Sequence, residues 1–159
     1  MKKIFVLAVI SLVVASCQKQ NPNTEAAPLL EEARQAVTDK DFAKAHALID
    51  SIRKAYPRAT EVRWAALYFE DTVNLEEAKV QSHEADSIYN FGRYEFEDVT
   101  KGLPEYHPTV RAASEKLDSL KMERNRMQMK VRFFHRKIQE RLKLKDKQER
   151  MVSRVGRKR

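Results

Sequence analysis

Residues 109–150 read TVRAASEKLDSLKMERNRMQMKVRFFHRKIQERLKLKDKQER. Within them Val110, Ala113, Leu117, Leu120, Met127, Val131, Phe134 and Ile138 recur at steps of three and four, interrupted at Arg124. An apolar stripe of this period is one face of an α-helix, and a repeat kept up over several heptads asks for a second helix packed along it. Thr109, directly after Pro108, supplies a capping oxygen for the helix start. At 1.5 Å per residue the segment predicts a helix of roughly 60 Å, with fraying over residues 153–159. Its partner is either the helix expected over 60–90, folded back alongside, or a second copy of the chain. Arg124 in the seam weakens packing there and fixes register, as polar seam residues do.

Working outward, Pro28 fits a first helical position. Leu29, Leu30, Ala33, Ala36 and Val37 then form one helical face. Asp39-Lys40-Asp41 breaks it and offers a new N-cap. Phe42, Ala45, Leu48, Ile49, Ile52 and Ala55 form the next face, which Tyr56-Pro57 ends because the residue before proline avoids the helical region. Two short helices joined by a tight turn make an αα-hairpin. The spacing of Phe42, Ala45, Ile49, Ile52 and Pro57 resembles the second helix of a tetratricopeptide repeat. Ile52 is larger than usual in that family. In the first helix Leu29 stands where Trp is common and Ala36 replaces an aromatic. Only a faint second copy follows at Leu75 and Ala78. One repeat-like unit cannot bury its own face, so the long helices must supply the missing surface.

Thr60 can cap a third helix through Val62, Ala66, Phe69, Val73, Val80, Ala85 and Ile88, with no Gly or Pro before about Asn90. A break near Thr72–Asn74 is the alternative. Residues 92–108 carry two of the 3 glycines plus Pro104 and Pro108, and read as the main turn. Tyr94-Glu95-Phe96-Glu97 alternates like a short strand. Tyr89, Phe91, Tyr94, Phe96 and Tyr106 serve either as a recognition surface for a peptide or glycan, or as a cover over the open end of the hairpin. The second use is the expectation.

The chain has 159 residues and a net charge of +8. A single Cys excludes an intramolecular disulfide and a Cys-based zinc site. Three glycines exclude collagen-like repeats. The charge is unevenly placed: residues 18–108 hold 11 basic and 17 acidic side chains, whereas residues 109–159 hold 18 and 6. Lys130, Arg132, Arg136, Lys137, Arg141, Lys143, Lys145, Lys147 and Arg150 form the candidate anion-binding surface, because such a block attracts polyanions through counterion release and its long-range field.

At the other end, Met1-Lys2-Lys3 precedes an apolar run from Ile4 to Ala15, then Ser16-Cys17. A positive start, a short apolar core and small residues before a cut form a secretory signal. The run of about a dozen residues is too short to span a bilayer, which needs ~20. Val14-Ala15-Ser16-Cys17 resembles the lipobox of bacterial lipoproteins. The resemblance covers the first 17 residues and implies removal of residues 1–16. It also implies diacylglycerol, with acyl chains such as palmitate, on the Cys17 sulfur. Residues 17–27 then read as a tether. Gln18, rather than Asp, follows the cysteine, and in Gram-negative members of that family this goes with outer-membrane sorting, facing the periplasm.

Catalytic signatures are missing from the sequence. No Gly-x-Ser-x-Gly, P-loop or His-Glu-x-x-His pattern occurs. His46, His83, His107 and His135 lie far apart, and His83 with Asp86 is a chance pairing on a solvated face rather than a metal site. No cofactor is expected.

The resulting expectation is an all-α lipoprotein. It would have a signal (1–16), a tether (17–27), a repeat-like helical region (28–91), an aromatic turn (92–108) and a long basic helix (109–152). The expected role is protein interaction or scaffolding at the envelope, without turnover. The expected partners are the membrane through acylated Cys17 and an envelope protein. Anionic lipid or lipopolysaccharide would meet the basic helix. One alternative is a periplasmic holdase chaperone with helical arms. The other, which needs the signal reading to fail, is a nucleic-acid binder.

Overall fold

The computed structural model describes residues 21–156, with side chains to Arg150. The signal, Cys17 and residues 157–159 lie outside the described residues. Four helices follow one another: α1 (Pro22–Thr38), α2 (Phe42–Ala55), α3 (Thr60–Thr100) and α4 (Pro108–Gly156). The described residues contain no strand, as an all-α reading requires.

Helix α1 begins six residues before the position expected from Pro28. Asn21 is its N-cap, its side chain accepting a hydrogen bond from the Asn23 amide at 3.0 Å, and Pro22 occupies the first turn. Pro28 therefore lies inside the helix. The early start gains burial: Ala26 is fully buried with Leu30, Ala33 and Ala36. The tether expected over 17–27 is thus helical from residue 22.

The α1–α2 turn is closed by two backbone bonds, Asp41 N–H to Ala36 C=O at 2.8 Å and Lys40 N–H to Val37 C=O at 3.0 Å. This pairing satisfies the last carbonyls of α1. It places Lys40 at φ 61°, a left-handed conformation that glycine adopts more cheaply. Asp41 then caps α2, accepting from the Lys44 amide at 3.0 Å. Lys44 Nζ also reaches Glu32 of α1 at 2.9 Å. That hydrogen bond, with the Glu32 charge, raises the Lys44 pKa. Of the expected α2 face, Ala45, Ile49 and Ile52 are buried, whereas Ala55 is exposed.

Helix α3 is continuous through Thr72–Asn74 and runs on to Thr100. The expected turn at 92–108 shrinks to residues 101–107, and Tyr94–Glu97 is helical rather than extended. The helix carries two faces where one was expected. Val62, Ala66 and Val73 join α1 and α2 in the core, with Phe69 packed against them. A second series faces α4, from Asp71 through Leu75, Ala78, Ala85 and Tyr89 to Gly92 at three-, four- and seven-residue steps.

Helix α4 folds back antiparallel along that second face, so its stripe is covered by α3 of the same chain. Val110 through Ile138, Arg124 included, are all half-buried at the expected stripe positions. The helix persists to Gly156, beyond the expected fraying point. Its seam has identifiable locks. Arg124 lies 4.1 Å from the centre of the Tyr89 ring, and its Nε is 4.0 Å from Asp86. Gln128 donates to Asp86 at 3.2 Å, and Lys116 reaches Glu95 at 2.7 Å.

Gly92 is buried where α4 packs on α3, and a Cβ there would meet the Leu120 side chain. Gly92→Ala lets Leu120 give way and gains helix propensity of up to ~1 kcal/mol, so its net effect on stability is small. Gly92→Leu overpacks the seam and costs about 1–3 kcal/mol. A urea midpoint for the two variants checks the difference.

Candidate functional site

The nine basic residues singled out on α4 do not share one surface. Lys137 and Arg141 turn inward. Lys137 Nζ is 2.9 Å and Arg141 Nε 2.7 Å from the two carboxylate oxygens of Asp71, whose side chain is 2% exposed. Arg141 also donates from Nη1 to the Leu67 carbonyl at 2.9 Å and lies over the Tyr68 ring. Their anion is internal. Lys130 leans onto α3, 3.4 Å from Gln81 Oε1. Lys145 and Arg150 pair along α4 with Glu149 and Asp146. Arg132, Arg136, Lys143 and Lys147 remain exposed, and none has an ion-pair partner among the described residues.

Asp71 lies at the base of a cleft of about 310 Å³ between α1, α3 and α4. Tyr68, Phe69 and Leu142 give it an apolar lining, and Arg34, Arg141 and Lys145 make its rim cationic. Arg34 sits 5.0 Å above the Phe69 ring, an arrangement favoured by the ring quadrupole. Sequence reasoning missed this cleft because Asp71 is one of many helical acids, and its burial follows only from the fold of α4.

The distal part of the α3–α4 pair stands clear of the α1–α2 core as a two-helix arm. Its aromatic side chains do not close the open end as expected. Phe91 is 71% and Tyr106 89% exposed, with Tyr94 similar, while Tyr89 and Phe96 are half-buried against α4. Farther along α4, Met122, Met129 and Phe133 are exposed on one side and line a shallow apolar depression with Arg126.

The histidines stay apart. His46 faces Glu77 at 3.5 Å across α2 and α3, and Asp86 is bonded to Gln128. Among the described residues no group of three or more His, Cys, Asp or Glu is placed to hold a metal ion.

No described helix is long and apolar enough to cross a membrane. No curated protein and no solved structure matches the chain. Residues 1–18 match the family model for the prokaryotic membrane lipoprotein lipid attachment site, and the match contains Cys17. The chain therefore carries a bacterial lipoprotein signal, and membrane attachment runs through acylated Cys17.

Proposed function

We propose that this lipid-anchored envelope protein is a protein-interaction or scaffolding module whose working surface is the α3–α4 arm. The observation that carries the reading is the exposure of large apolar side chains along the arm, foremost Phe91, Tyr94 and Tyr106. Aromatic side chains of this kind are the usual anchors of protein interfaces. The α1–α2 hairpin, which resembles one tetratricopeptide unit, braces the base of the arm in this reading. Gln18 after the cysteine favours the outer membrane and a periplasm-facing arm. No turnover is part of the proposal.

A photo-reactive side chain in place of Phe91 or Tyr106 tests it in intact cells. Discrete adducts are expected from both positions and none from Lys40 on the α1–α2 turn. Phe91→Ser/Tyr94→Ser/Tyr106→Ser should remove adducts formed through a photo-reactive group at Val99. Its melting temperature should stay near that of the parent, because exposed substitutions change stability by about 0.5 kcal/mol or less. Adducts of equal yield from Lys40 would refute the arm as the working surface. The exposed Met122, Met129 and Phe133 favour the second reading, a holdase, since Met-rich surfaces adapt to many clients. Suppression of the aggregation of several unrelated unfolded outer-membrane proteins, lost in Met122→Ser/Met129→Ser/Phe133→Ser, would establish it instead.

A further inference from the structure

We propose that the end of the bundle next to the lipid anchor is a docking surface for anionic phospholipid headgroups of the same membrane. In this arrangement the arm projects away from the bilayer. The inference rests on the reading of Cys17 as the anchor.

The topology brings the relevant groups together. Helices α1 and α3 run parallel with their starts adjacent, since the Val62 amide donates to Asn23 Oδ1 at 3.5 Å. Helix α4 runs the other way, so its last turns return to that same end: Arg141 bonds Leu67, and Lys145 shares a cleft with Ala65 and Arg34. The loop from α2 into α3, residues 56–59, lies there too. Four residues, 18–21, lie between Cys17 and Pro22, a path of five Cα–Cα steps. Even fully extended they reach about 18 Å, so this end cannot stray far from the headgroups.

The charge at this end complements an anionic surface. Lys54 and Arg58 are exposed beside the loop, and Lys143 and Lys147 are exposed on α4. None of the four is in an ion pair among the described residues. At the far end, residues 84–126 of the α3–α4 pair hold nine acids against seven bases, a slight negative excess. The molecule is thus polarised along its length, with its positive pole beside the lipid. Each cation held close to an anionic leaflet strengthens association about five-fold. The attraction dies within a Debye length, about 8–10 Å at ordinary ionic strength. A tether of that length lets the anchor-side end come within that range. An acyl anchor joined to a basic patch is also a known physical route to firm attachment.

The test uses the full-length acylated protein reconstituted into vesicles of phosphatidylcholine alone, or of phosphatidylcholine with phosphatidylglycerol at roughly three to one. A fluorophore at Gln148→Cys, or at Tyr106→Cys for the far end, reports energy transfer to a headgroup acceptor. Transfer from position 148 should rise at least two-fold in the anionic vesicles and fall back in high salt. Lys54→Glu/Lys143→Glu/Lys147→Glu should abolish the rise. Transfer from position 106 should stay low throughout. Equal transfer from 148 in both vesicle types, or equal transfer from 148 and 106, overturns the proposal. Flotation with phosphatidylcholine vesicles alone separates the two readings. If the protein fails to float with them, the anchor is wrong, and salt-sensitive flotation with the anionic vesicles then decides the docking surface by itself.

Discussion

Cys17→Ala should abolish incorporation of labelled palmitate and leave a chain 16 residues longer than the mature form. The attachment chemistry needs a sulfur nucleophile at the position fixed by the lipobox, and the sequence contains 1 Cys. No other side chain can substitute: a hydroxyl at the same place is a far weaker nucleophile than a thiolate, so Cys17→Ser should behave as alanine does. The consequence for attachment is large. A single acyl chain holds a protein only marginally, whereas two or more hold it stably, at about 0.8 kcal/mol per buried methylene. The retained apolar run of about a dozen residues is too short to replace the anchor by spanning the bilayer. Mass spectrometry of the purified chain and fractionation after a high-salt wash read the two effects separately. Fatty acid found on the Cys17→Ala protein, or processing to the mature length, would overturn the assignment.

The parts of the fold that were legible in the sequence are those set by local chemistry. The stripe from Val110 to Ile138 appears in the structure at the same positions, because a long solvated helix has one way to bury a three-four repeat. Asp41 as a cap and Tyr56-Pro57 as a stop are likewise local and hold. The misreadings share a cause. Pro28 and Gly92 carry start or turn signals, and tertiary packing overrides both of them. Burial of Ala26 pulls the start of α1 back to Asn21-Pro22, which carries the same capping signal as Pro28. Gly92 marks a close approach of two helices rather than a turn, and no sequence pattern separates those uses. Helix α3 reads poorly for a further reason. It buries two different faces, so its apolar residues lie nearly all round it and no single stripe stands out.

The charge pattern shows the same limit at the level of function. Counting finds residues 109–159 basic and residues 18–108 acidic, without saying which end of the molecule each occupies. The reversal of chain direction between α3 and α4 places the basic end beside the anchor and leaves the exposed aromatic side chains at the far end. Each residue was legible, but the end of the molecule it occupies depends on the direction of one helix pair. The same reversal explains why Lys137 and Arg141, solvated cations by sequence, serve Asp71 instead.

That buried carboxylate underlies the largest stability effect expected among the described residues. Lys137→Met/Arg141→Met should lower stability by about 3 kcal/mol, the lower end of the range for stripping one partner from a buried pair. The lower end applies because the two cations are themselves 39% and 24% exposed, so part of their interaction is screened. The melting temperature should fall by roughly 10 °C. The cause is the carboxylate left behind. Asp71 is 1% exposed, its Oδ2 accepts no aligned hydrogen bond, and its short side chain cannot reach water as the long cations can. Each single variant leaves one cation in place, so the double variant should lose more than the two singles together. Adding Asp71→Leu to the double variant should restore most of the loss, since an apolar side chain with the same branching can extend into the adjoining cleft without a charge to satisfy. Urea unfolding of the five proteins completes the cycle. A double variant within 1 kcal/mol of the parent, or no recovery with leucine at 71, would show that the three side chains behave as an ordinary surface pair.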